Sequence, residues 1–150
     1  MSWQELASTS HYRTAVAIAE RLAEGHVDDA SDGLGELIEA VARSERRALR
    51  SQLVRLMAHI LKWRARPSHR SASWAVTILQ AREEIAAIRE EVPSLTREVI
   101  EAMWDDCFRS AARQVEAEMG SFPEVAGLDW DDVFEVAYLL SSRGPKPAGG

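Results

Sequence analysis

A chain of 150 residues, 46% apolar and 28% charged, has the length and composition of one ordinary globular domain, which excludes collagen-like and disordered classes. No apolar run reaches the ~18 residues needed to cross a bilayer, so no membrane association is expected. The net charge of -6 argues against a surface that coats nucleic acid as a whole.

The single cysteine, Cys107, excludes an internal disulfide and a multi-cysteine zinc site. It falls in an apolar helical pattern and reads as a small core residue rather than a reactive thiol. No basic start followed by an apolar block opens the chain, so no signal peptide is expected and a cytoplasmic setting follows by default.

The apolar spacing is helical throughout, with no period-two alternation. A short helical turn around Trp3 to Leu6 precedes a first helix from Ser10 to Ala23, which gathers Val16, Ala19 and Leu22 or Ala23 on one side. Gly25, Gly33 and Gly35 mark the first turn region, and Asp32 is the expected cap of helix two, its carboxylate accepting from an orphan N–H. Helix two runs to about Arg66, on the order of 50 Å at 1.5 Å per residue. Its apolar stripe (Leu34, Leu37, Ile38, Val41, then Leu49, Leu53, Leu56, Met57, Ile60 and Leu61) rotates between its halves. A bend near Ser44 to Arg50, or different neighbours at each end, would explain that.

Beyond the turn at Pro67, Ser71 or Ser73 starts helix three. Trp74, Ile78, Ala81, Ile85, Ile88 and Val92 form a 4-3-4-3-4 seam, the spacing that buries against a partner helix. Pro93 stops that helix and Ser94 is the expected cap of helix four, which continues to about Met119 with Leu95, Val99, Met103, Trp104, Cys107, Phe108, Ala111 and Val115 inside. After a loop marked by Gly120, Pro123 and Gly127, Asp129 caps a last helix whose apolar side is Val133, Val136, Ala137 and Leu140. The prediction is an all-α antiparallel bundle of four main helices plus a short C-terminal helix, one domain over residues 1–140, with a disordered tail at 141–150.

The charge is uneven. Residues 43–70 hold nine Lys or Arg and one acid, so this segment carries +8 while the remainder carries -14. Arg43, Arg47, Arg50, Arg55, Lys62 and Arg66 form a candidate basic patch, but they wind around helix two instead of forming the compact row of a DNA-reading helix. Pairing with acids of helices three and four, such as Glu83, Glu90, Glu98 and Asp105, is the simpler explanation, and nucleic acid is the less favoured partner.

The sharpest local feature is "HILKW" at 59–63, where His59 and Trp63 share one side of helix two. Across the turn, Trp74 and then Arg82 come from helix three. His59, Trp63, Trp74 and Arg82 therefore make a candidate ligand site, since an aromatic pair with an arginine suits a planar or anionic group. The plainer reading is a tryptophan-lined core end in which His59 and Arg82 satisfy buried polar groups. No activated serine or cysteine pattern accompanies His59, so no catalytic residue is assigned. Glu36 and Glu39 resemble half of a carboxylate bundle site, but no Glu-x-x-His follows. No metal and no cofactor are expected.

The fragments "RSERRAL" at 43–49, "HILKW", "SASWAVTI" at 71–78, Arg82, "PSL" at 93–95 and "FP" at 122–123 resemble, in order and spacing, the bacterial domain-of-unknown-function family numbered twenty-nine. The resemblance covers roughly residues 10 to 140 and implies an all-helical protein without an assigned activity. Relatives tend to carry Asp and Trp where Ser10 and Thr14 stand, an Asn near Gly33, two adjacent glutamates where Glu36 precedes Leu37, and a Cys-Pro pair where "VAG" follows. If that acidic motif forms a site with the histidine, this chain lacks part of it. A helical interaction module, self-associating or protein-binding, is the leading expectation. A nucleic-acid-associated regulator and a small-ligand or hydrolytic site at His59 stand as alternatives.

Overall fold

A computed structural model describes residues 2–140. The described residues are all-helical and contain no strand. The expected tail at 141–150 lies outside them. Seven α-helices follow in order: α1 Trp3–Thr9, α2 His11–Ala23, α3 Val27–Ala65, α4 Ala72–Glu91, α5 Arg97–Ala102, α6 Trp104–Met119 and α7 Trp130–Phe134, with a 3-10 turn at Pro67–His69. The chain forms two compact units, Met1–Ala48 and Leu49–Gly150, and their boundary falls within α3.

In the first unit, serines start both short helices. Ser2 and Ser10 each accept a hydrogen bond from a backbone N–H three residues on, satisfying one of the donors a helix start leaves unpaired. Gly25 ends α2 with φ at +84°, a left-handed conformation that side chains resist, and the His26 N–H returns to the Arg21 carbonyl. That single glycine makes the turn, so α3 starts at Val27 and Asp32 lies inside the helix instead of capping it. Gly33 and Gly35 are likewise helical.

Gly33 has another reason to be glycine. The Trp3 ring lies flat over it, and a Cβ there would stand 2.8 Å from the indole. The Trp3 indole N–H also donates to Asp29 at 2.9 Å, and Asp29 takes Arg21 at 2.9 Å, so one carboxylate of α3 holds both α1 and α2.

The buried side of α2 is not the expected one of Val16, Ala19 and Leu22 or Ala23, all of which are exposed. Thr14 and Ile18 are buried, with the Thr14 hydroxyl donating to the Ser10 carbonyl, while Tyr12, Val16 and Leu22 face outward. The first unit's core is therefore small: Ala7, Thr14, Ile18, Ala30, Gly33 and Ala40.

The second unit has the large core. Leu49, Leu53, Leu56, Met57, Ile60 and Leu61 of α3 are fully buried. α3 is unbroken through residues 44–50, and its stripe rotates at the boundary between units, where its packing neighbours change. In α4 the seam residues Ile78, Ala81, Ile85 and Ile88 are buried, and Ser71 caps the helix by accepting from the Trp74 N–H. The expected fourth helix is two: Thr96, not Ser94, caps α5, and the chain turns at Met103 before α6. That break brings Ile100 into the core, fully buried. Asp129 caps α7 in a reciprocal capping box with Asp132, but the helix ends at Phe134, so Val136 and Leu140 stay exposed and Tyr138 is buried in their place. Cys107 is fully buried, and burial pushes its thiol pKa up.

Gly33 and Gly35 make an internal test. Gly35→Ala meets nothing within 4 Å; it should stabilise by up to about 1 kcal/mol through helix propensity. Gly33→Ala collides with Trp3 and should instead destabilise by about 1–3 kcal/mol. Urea unfolding of the two variants checks the opposite signs.

Candidate functional site

His59, Trp63, Trp74 and Arg82 all belong to the second unit. His59 is half-buried and its Nδ1 lies 2.9 Å from the Arg55 carbonyl. Because a carbonyl only accepts, Nδ1 carries the hydrogen of the neutral ring and Nε2 is left as the basic position. Desolvation is the main cause that lowers the His59 pKa, and the cations Lys62 and Arg55 lower it further, against the hydrogen bond to Arg55. Lys62 is itself buried. Its ammonium pairs with Glu118 at 2.9 Å and lies 5.5 Å from the centre of the Trp74 ring.

Trp63 is buried and meets Tyr138 edge-on, with centroids 6.1 Å apart, while the Arg70 guanidinium covers its ring at 5.1 Å. Arg82 turns to the C-terminal segment. Its Nε donates to the Val133 carbonyl at 2.7 Å, and one terminal nitrogen donates to the Val136 carbonyl at 2.7 Å. Arg64 reaches the same place, donating to Asp132 at 2.6 Å and to the Tyr138 hydroxyl at 3.0 Å. The Tyr138 hydroxyl donates in turn to the Asp132 carbonyl at 2.8 Å. The Asp129 N–H, then Arg64, hold the Asp132 carboxyl below its ordinary range. Arg82 takes the Val133 carbonyl at the end of α7 and the Val136 carbonyl just beyond it, and Arg64 takes the Asp132 carboxylate, so the two arginines act as a clasp on this short helix.

Arg82 also lines a cavity of about 220 Å³ with Ala75, Val76, Ile78, Leu79, Ala137, Tyr138 and Leu139, and His59, Trp63 and Trp74 have no part in it. Of the four candidate residues, Trp63 and Arg82 thus converge on Tyr138, while Lys62 links the neighbourhoods of His59 and Trp74. Asp132 and Tyr138 are the partners that sequence reasoning missed. They lie 50 to 56 positions from Arg82, and an isolated tyrosine carries no spacing signal.

In the basic segment, Arg43, Arg47, Arg50 and Arg55 are exposed, Arg66 is half-buried beside Ser121, and Lys62 is buried. The segment's ion pairs go to Glu118 and Asp132, not to the acids first expected. Among the described residues no group of three or more His, Cys, Asp or Glu side chains is placed to hold a metal ion, and no helix is long and apolar enough to cross a membrane.

The remaining feature is the outer surface of the first unit. Tyr12, Val16 and Leu22 on α2 and Val27, Leu34 and Ile38 on α3 are exposed, Tyr12 at 78% and Ile38 at 59%. Scattered apolar residues are ordinary on a surface, but a helical row on α3, with Tyr12 and Val16 exposed on α2, is not ordinary on a unit with so small a core.

The profile of the family described as Domain of unknown function DUF29 matches residues 10–139. No curated protein and no solved structure matches the chain significantly.

Two outcomes check the second-unit geometry. Arg82→Met should destabilise by about 2 kcal/mol, because two charge-assisted bonds vanish and carbonyls lose their donors. Hydrogen exchange at residues 133–138 should rise with it. For His59 the folded pKa lies below its ordinary value of 6.5, so the unfolded chain takes up the proton first. Its contribution to stability is therefore present above 6.5 and lost as pH falls through the folded pKa. Wild type should lose more stability than His59→Gln between neutral pH and about pH 5, measured by denaturant midpoints.

Proposed function

We propose that this chain, which belongs to the DUF29 family, is a helical interaction module whose binding surface is the outward apolar face of its first unit. The observation that carries the reading is the apolar surface of the first unit: Val27, Leu34 and Ile38 share one side of α3 and are exposed, as are Tyr12 and Val16, four residues apart on α2, while Thr14 is buried. A unit of about 50 residues with one large buried apolar side chain, Ile18, gains little from its own core. Covering the stripes with another helix supplies the missing burial, at about 25 cal/mol per Å² of apolar surface. An antiparallel arrangement of the long helices, favoured by short connections such as residues 66–71 and 92–96, and a cytoplasmic setting belong to the same reading.

The other readings draw less support. Of the six cations offered for nucleic acid, Lys62 is held by Glu118 inside the second unit. For a ligand site around His59, Trp63 is buried and Arg82 already serves three carbonyls.

A tagged chain in native cell extract should sediment above its monomer mass. The double variant Val16→Glu with Leu34→Glu, helical by circular dichroism, should fall to that mass. Wild type already at monomer mass, or a variant that sediments unchanged, would sink the reading.

A further inference from the structure

The occupant of this surface follows from the order of residues along α3. Val27, Ser31, Leu34, Ile38, Val41, Glu45 and Ala48 are spaced 4-3-4-3-4-3, the seam of a helix that meets another at a shallow angle. Val27, Ser31, Leu34 and Ile38 are exposed, and Val41, Glu45 and Ala48 are half-buried. The row is symmetric about Ile38. Its middle is apolar (Leu34, Ile38, Val41), a single polar residue follows on each side (Ser31, Glu45), and an apolar residue closes each end (Val27, Ala48).

Reversed end for end, the row presents the same pattern, so it fits a copy of itself running the opposite way. Leu34 then lies beside Val41 of the other copy, and Glu45 beside Ser31, whose hydroxyl can donate to the carboxylate. A foreign helix has no reason to share this order; a second copy has it by construction.

Charge fixes the direction. Asp28, Asp29, Asp32 and Glu36 precede the centre without a Lys or Arg among them, Glu39 adjoins it, and Arg43, Arg46 and Arg47 follow. Among the described residues, Asp28, Asp32, Glu36, Glu39 and these three arginines form no ion pair. An antiparallel copy sets each acidic half alongside a basic half; a parallel copy would set acid beside acid. Most of these charges ride on the outer side of the row, so they select orientation and raise the association rate more than they add affinity.

We propose that the chain self-associates as a twofold dimer in which residues 27–48 of α3 pair antiparallel with the same residues of a second copy, centred near Ile38. The proposal rests on the interaction-module reading above and names its partner.

The test uses the purified full chain. Wild type should be dimeric by sedimentation, and Ile38→Glu should raise the dissociation constant at least about 100-fold while remaining helical. Ser31→Cys and Glu45→Cys replace polar residues at the row's outer positions, and the buried Cys107 leaves the background unreactive. With a short bis-maleimide, a mixture of the two variants should cross-link between chains, and each variant alone should not. Self-linking of either variant alone would show parallel packing and overturn the proposal. A dimer that links in neither case uses another surface and also overturns it. A wild-type chain that stays monomeric to about 100 µM removes the second copy as partner. The extract measurement then decides separately whether a different protein covers the face.

Discussion

The constraint on which the rest depends is that one helix, α3, is built from two kinds of residue for two kinds of packing. From Leu49 onward, six large side chains are fully buried, and they form the centre of the second unit's core. Before that point the residues α3 buries are Ala30, Gly33 and Ala40. Small residues allow close approach, and the Trp3 ring uses it by lying on the Gly33 backbone. The cost is that small buried residues remove little apolar surface from water, and Leu34 and Ile38 stay exposed. The same choice that seats α1 tightly leaves the outer row of α3 available.

The second unit meets a different difficulty, a five-residue helix that cannot stabilise itself. α7 is too short to supply its own closing bonds, so side chains must. Its start is satisfied locally by the box between Asp129 and Asp132. Its end is satisfied from a distance by Arg82, and Arg64 clamps Asp132 and Tyr138 from α3. The half-buried guanidiniums remain hydrogen-bonded, which is the condition under which burying a charge is tolerable. Arginine suits this task better than lysine, because its planar fork reaches two carbonyls at once. Arg82 was first a candidate for holding a ligand, and the hydrogen bonds it makes are those a ligand would have required.

What was legible in the sequence was local. Ser71, Pro93 and Asp129 mark helix ends through bonds within four residues, and the α4 seam follows from spacing alone. Asp32 and Ser94 misled because several polar residues could cap each helix, and the outcome turned on Gly25 and Thr96. The break at Met103 carries no glycine or proline, so nothing in the pattern announced it. The family resemblance, covering residues 10–139, was readable from ordered fragments. The partners of Arg64 and Arg82 were not, because tertiary hydrogen bonds across 50 or more positions leave no periodic trace.

The α2 stripe shows why periodicity and burial must be kept apart. An apolar row states that a helix face avoids water; it does not state what covers it. In α2 Thr14 and Ile18 are inside, while the apolar pair Tyr12 and Val16 is outside. Thr14 tolerates burial because its hydroxyl bonds to the Ser10 carbonyl within its own helix. That leaves the apolar row with no role in the unit's own core. A sequence keeps such a row at little advantage to the isolated chain, since exposed apolar stripes favour aggregation. In the proposed pairing of α3 with a second copy, the outer row of α3 becomes core only when a second molecule is present.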